Sequence, residues 1–309
     1  MRNKGILSAT FEQSKKVVSK KILTEDGAQI GLMSSMSLLK RIMVLLVGIF
    51  YITGLYAVGV GLPRFITMEP EETRVLSEST INLIHLIGGY TTGITEKLLI
   101  FHLLLFAVNL IPKPNYAFQL VYGTLTVICL AVETITGILP LIIGLTVGAF
   151  GWLGFVLQFL VCVYLWKSLV LSNVAQLKEQ LYKGAPAGKD WGERLMTFIK
   201  KYGGVLLFLS IVNRWTFNFG EVAQTRPDIF SFLYGWAFLL VAALMLFVTG
   251  MTLKKFVAAF YFFKYRKEYR QFFKVSNEQW YGKWRGRKKH EKRRDEEVSN
   301  SSSQRNSAK

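Results

Sequence analysis

The chain is poor in the residues that staple, chelate or attack. Only two cysteines occur in 309 residues, Cys129 and Cys162. Both fall inside apolar runs, so no disulfide framework is expected and each reads as a small hydrophobe. The three histidines, His85, His102 and His290, are too scattered for a metal site, and no metal or cofactor is expected. No phosphate loop of the GxxxxGKS type, no GxSxG elbow and no HExxH helix occurs, so no familiar catalytic constellation can be placed. Acidic charge is scarce as well, with 20 Asp and Glu against 38 Lys and Arg.

What fills the chain instead is apolar sequence, 51% of it hydrophobic, at a mean hydropathy of +0.31. The apolar residues come in blocks about twenty long, the length that crosses a bilayer at 1.5 Å per residue. That excludes an ordinary soluble domain and predicts an all-α, polytopic membrane protein of about six transmembrane helices. The first span is 42–62, flanked by Lys40 and Arg41. Because no convincing cleavage site accompanies it, it is expected to stay as an anchor rather than be removed as a signal peptide. Residues 116–166 are too long for one crossing, and Gly137 with Pro140 predicts a break between spans 116–136 and 140–166. The span at 229–250 is equally plain, whereas those at 93–112 and 202–219 are short or polar. Residues 81–90 are too few to cross and are expected to lie in an outer loop as an interfacial or re-entrant segment.

Charge sets the orientation. With six spans, 33 of the 38 Lys and Arg fall on one side: in the arm before residue 42, the turn at 112–115, the loop 167–201 and the end from Lys254. The positive-inside rule then puts both termini in the cytoplasm and the protein in a cell membrane, or in the endoplasmic reticulum membrane of a eukaryote. The arm, residues 1–41, carries an amphipathic stretch that suits either an anionic leaflet or the protein's own cytoplasmic face. Residues 251–274, aromatic and cationic, are expected to form an interfacial helix, and residues 275–309 a basic, partly disordered tail.

Ionisable groups inside spans are the natural site candidates, because a charge in hydrocarbon needs a partner or a function. His102 and Asn109 lie two helical turns apart on one face. Glu133 and Arg214, the latter beside Asn213, are each placed late in an outward-running span, where they could pair. Gly144, Gly148 and Gly151 recur at spacings of four and three, which exposes backbone for close helix packing within the chain or in a homo-oligomer. The tail offers Lys283, Arg285, Arg287, Lys288, Lys289, Lys292, Arg293 and Arg294 to anionic lipid headgroups, to RNA such as a ribosome's, or to an acidic partner protein. With so few intramembrane polar groups and such basic ends, the leading expectation is a non-enzymatic subunit or scaffold of a membrane complex. The alternative is a small transporter or channel with a polar route near His102, Glu133 and Arg214. A lipid-active enzyme would need an acid/base pair that the pattern barely supplies.

Overall fold

The computed structural model describes residues 5–24, 27, 36–67, 76–184, 191–212 and 234–288. The described residues are helical, with no strand among them. After the short α1 (Phe11–Ser14) come α2 (Leu38–Phe65), α3 (Glu78–Asn109), the 68-residue α4 (Tyr116–Lys183), α5 (Trp191–Val212) and α6 (Ala237–Lys264). Two short helices follow, α7 (Arg266–Phe272) and α8 (Asn277–Tyr281), and a last helical stretch, 283–288, closes the described chain. Four helices, α2, α3, α4 and α6, are long and apolar enough to cross a membrane.

The helices begin where side chains can take the orphan N–H groups of the first turn. Ser77 accepts from the Thr80 N–H at the start of α3, and Asn115 from the Ala117 and Phe118 N–H groups at the start of α4. Antiparallel packing follows from the contacts. Arg41, at the start of α2, donates to the Leu110 carbonyl just past α3, while at the other end Gly88 of α3 lies against Pro63. His85 sits at that second end, its ring nitrogens 2.7 and 3.0 Å from the Pro63 and Ile66 carbonyl oxygens. Residues 81–90, expected as a separate outer segment, are therefore part of one unbroken helix with the 93–112 span.

The expected break at Gly137 and Pro140 is absent. Pro140 sits inside α4, and the chain turns instead at Gly151, with φ 69° and ψ 177°. Two hydrogen bonds show the reversal: the Phe238 N–H donates to Thr146 Oγ1 and the Leu239 N–H to Gln158 Oε1, so residues on either side of Gly151 meet neighbouring residues of α6. The Phe118 and Phe263 rings meet at 5.0 Å, and Asn173 donates to the Gly250 carbonyl, so the first arm of α4 (116–150) is antiparallel to α6 and the second (152–183) parallel to it. Proline is tolerated where it falls because, away from water, the freed carbonyl has no better partner to leave the helix for.

One end of the bundle carries a folded cap. Ala9, Val17, Val18 and Ile22 of the N-terminal arm bury against Leu177 and Leu181 of α4, Tyr261 and Phe262 of α6, Tyr269 of α7 and Trp280 of α8. The Tyr261 hydroxyl donates to the Ile6 carbonyl at 2.7 Å and accepts from the Ala9 N–H at 2.9 Å. Of the two settings expected for the arm, the structure shows its own protein. The 251–274 segment is likewise not a separate surface helix. Residues 251–264 continue the last long helix, and the rings of Tyr261, Phe262 and Tyr269 are fully buried.

Gly184 lies against Lys16 in the cap, whereas Gly235 lies against Phe150 beside the Gly151 turn. Gly184 and Gly235, described residues on either side of 185–233, thus lie at opposite ends of the bundle.

Candidate functional site

The buried face of α3 repeats at three and four residues through Thr92, Thr95, Leu99, His102, Phe106 and Asn109. On the first arm of α4, Gln119, Thr126, Glu133 and Pro140 recur every seven residues, flanked by Gly137, Gly144 and Gly148. The two stripes face one another. A β-carbon at Gly144 would lie 2.4 Å from the Ile84 side chain, and one at Gly148 would lie 2.1 Å from Thr80 Oγ1. Gly144 and Gly148 thus do pack helices closely, whereas Gly151 makes the turn. On the third side, Gly59 of α2, inside a π-helical turn at Ala57–Gly61, presses its backbone onto Gly137, where an added β-carbon would meet Gly137 Cα at 2.7 Å. The result is a tight seam whose buried side chains are polar at intervals along the bundle.

Within that seam His102 Nδ1 lies 2.5 Å from Glu133 Oε1, with both side chains at 0% exposure. Phe106, one turn on, stacks its ring on the imidazole at a centroid distance of 4.4 Å and fixes its plane. Tyr51 of α2 meets the Thr134 hydroxyl at 2.5 Å, closing the site from the third helix. A net-neutral pair is the form that burial permits, whether imidazolium with carboxylate or imidazole with carboxylic acid. These two forms differ only in the place of the bridging proton. The outer atoms, His102 Nε2 and Glu133 Oε2, are buried with no hydrogen-bond partner among the described residues. A buried polar atom left without a partner costs about 1–3 kcal/mol, so each of these calls for a water or another group to meet it.

At the cap end, the seam finishes on buried Asn109 and on Arg41, whose Nη1 donates to the Leu110 carbonyl at 2.7 Å. Lys113, in the following turn, donates to the Val108 and Ile111 carbonyls. Burial and then the Arg41 charge hold its ammonium below the ordinary lysine value. At the far end the seam reaches buried Thr80 and a pocket of about 460 Å³ between the start of α3 and the Gly151 turn.

The residues singled out from sequence are thus partly gathered. His102, Asn109 and Glu133 share the seam, and Glu133 pairs with His102. Asn213 and Arg214 lie outside the described residues. Because the first arm runs on to residue 150, Glu133 sits near its middle rather than late in a short span. Arg41 and Thr95 were missed. The first looked like a flanking positive charge, and the second lay uncharged at the weak start of the 93–112 span. The seven-residue repeat of Gln119, Thr126, Glu133 and Pro140 was legible, had 116–150 been read as one helix.

The basic tail is described only at its start. Lys283, Arg285, Arg287 and Lys288 are exposed, with Arg285 donating to the Lys113 carbonyl and Arg287 paired with Glu278 at 3.3 Å. Lys289, Lys292, Arg293 and Arg294 lie outside the described residues. No group of three or more metal-ligating side chains occurs among the described residues. Compared with known protein families, curated proteins and solved structures, the chain matches none.

Proposed function

We propose that the protein is a six-span membrane protein with both termini cytoplasmic, and that it is a proton-linked transporter working through the seam between α3 and the first arm of α4. The observation that carries the reading is the fully buried His102–Glu133 pair with two unpartnered polar atoms. Ionisable groups at membrane depth belong to pathways more often than to packing, and a histidine–carboxylate pair can hold one, two or three protons. Loss of the bridging proton leaves the pair with one negative charge, and gain of a third leaves one positive charge. Either state calls for a counter-charge or a change in helix packing, which is how proton movement becomes coupled to a solute. The sixth crossing is supported by the opposite placement of Gly184 and Gly235 and by the excess of Lys and Arg at the cap.

The test is proton flux in liposomes containing the purified protein and an internal pH dye. Under an imposed pH gradient the native protein should dissipate the gradient, and His102→Asn or Glu133→Gln should slow this by about a hundredfold, the scale of a removed proton-transfer group. Equal flux through the native protein and both folded variants would end the proposal.

A second reading is favoured by the cap, an ordered cytoplasmic platform built from both ends of the chain and carrying exposed Lys283, Arg285, Arg287 and Lys288. In it the protein is a subunit or scaffold of a larger membrane complex, seated on anionic headgroups, on RNA or on an acidic protein surface. Purification in several mild detergents distinguishes the two, since recovery of an isolated, flux-competent monomer leaves only the transporter.

A further inference from the structure

The pocket at the far end of the seam has a chemistry of its own. Its volume, about 460 Å³, lies in the range of small-molecule sites. Ser79 and Asn82 put a hydroxyl and an amide on the first turns of α3, beside the buried Thr80, and Leu83 and Leu86 continue the same face one turn further along, with Trp152 joining them from just past the Gly151 turn. Among the described residues no Asp, Glu, Lys or Arg lines it. Leu86 is 60% exposed and Trp152 58%, so the apolar wall opens sideways to the surface that faces hydrocarbon in a membrane. Gly148 packs directly on Thr80 at the pocket's floor, where an added β-carbon would meet Thr80 Oγ1 at 2.1 Å, and at Gly151 the backbone conformation holds that position for glycine. Asn82 lines the pocket and is exposed, so its amide is accessible to a headgroup.

We infer that this pocket binds a neutral, hydroxyl-bearing amphiphile taken laterally from the outer leaflet, with its head against Ser79 and Asn82 and its hydrocarbon along Leu86 and Trp152. A charged headgroup would be desolvated there without a counter-charge, which selects against phosphate and carboxylate heads. Thr80 and Gly148 join the pocket to the seam that holds His102 and Glu133. As a substrate site, then, the inference rests on the transporter reading and names the class of solute moved.

The full-length protein in phosphatidylcholine nanodiscs, exposed to a diacylglycerol with a photoactivatable diazirine on its acyl chain, tests this directly. Diazirine-bearing phosphatidic acid and phosphatidylcholine serve as comparators. The expected result is saturable labelling within residues 79–86 and 147–152 that unlabelled diacylglycerol competes away. Labelling there by either comparator should be about tenfold weaker, as a single lost polar contact or an uncompensated charge would make it. Asn82→Leu should weaken the labelling by a similar, roughly tenfold factor, and Leu86→Trp, a change at an exposed position that fills the mouth, should abolish it. Labelling that does not saturate, that is equal for all three lipids, or that spreads evenly to lipid-facing positions such as Ile100 and Leu104 would overturn the inference. Labelling of His102→Asn separates the two proposals. Saturable labelling without proton flux keeps the site and discards transport, whereas flux without site-specific labelling discards the site alone.

Discussion

Taking away one member of the His102–Glu133 pair leaves the other buried, polar and unmatched, which costs more than the pair itself contributes. Glu133→Leu should lower stability by about 3–5 kcal/mol, and adding His102→Phe should restore most of the loss, because replacing both partners removes the unmatched group. Thermal unfolding of the two variants in one detergent measures both steps, and a double variant no more stable than the single would show that the pair is not the unit assumed. A second residue titrates in the cap. Burial, opposed by the Ser14 hydrogen bond, pushes the Tyr269 hydroxyl up to about 12. Its folded value is thus raised above the ordinary tyrosine value of about 10, so native protein holds the proton more tightly than unfolded chain does. The stabilisation is complete below pH 10 and fades as pH climbs toward 12. Trp280, packed in the same cluster, should report this as an alkaline change in fluorescence that Tyr269→Phe removes, while Tyr269→Phe itself costs about 1 kcal/mol at neutral pH through the lost Ser14 bond.

At the scale of the element, the informative contrast lies within α4. TGILP, residues 136–140, has the composition of a turn, and in water it would be one. Inside an apolar bundle the missing proline N–H is a local defect, and the reversal falls eleven residues later at Gly151, where φ 69° with ψ 177° belongs to a region that only glycine occupies readily. Gly151→Ala should therefore cost about 1–3 kcal/mol. Pro140→Ala should leave the melting temperature and topology nearly unchanged. If Pro140→Ala proved the more damaging of the two, the turn would be misplaced. The long apolar runs, the apolar hairpin and the all-helical class were legible because hydropathy at membrane length admits few other structures. Turn position, the union of residues 78–109 and the partner of Glu133 were not. Each depends on how far a helix continues past its apolar window, and that is settled by packing partners such as Pro63 against Gly88 rather than by the local sequence.

For the whole molecule, the cap and the Gly151 turn define two opposite faces. Impermeant maleimide applied from each side of sealed vesicles should label Leu7→Cys and Gln279→Cys from the cytoplasmic side and Asn82→Cys from the other. Labelling of Leu7 and Gln279 positions from opposite sides would contradict the cap itself, since the two ends of the chain meet there. Charge along the sequence led only to the expectation that the basic ends share one side of a membrane. It did not show that they touch, because the contact is made by scattered residues such as Ala9, Val18 and Tyr261 that carry no pattern along the chain.

That contact has a consequence for synthesis. Ala9 and Tyr261 are bonded across 252 positions, so the arm emerges from the ribosome long before its binding surface exists. At about 5–20 residues per second, roughly 10–50 seconds pass before translation supplies the partner. During that interval the arm is an unsheltered, apolar and basic peptide, a natural client for a chaperone or for the nearby leaflet. A chain stopped short of α6 would lack Tyr261 and Phe262 and could not close the cap, so the arm of any incomplete chain stays exposed.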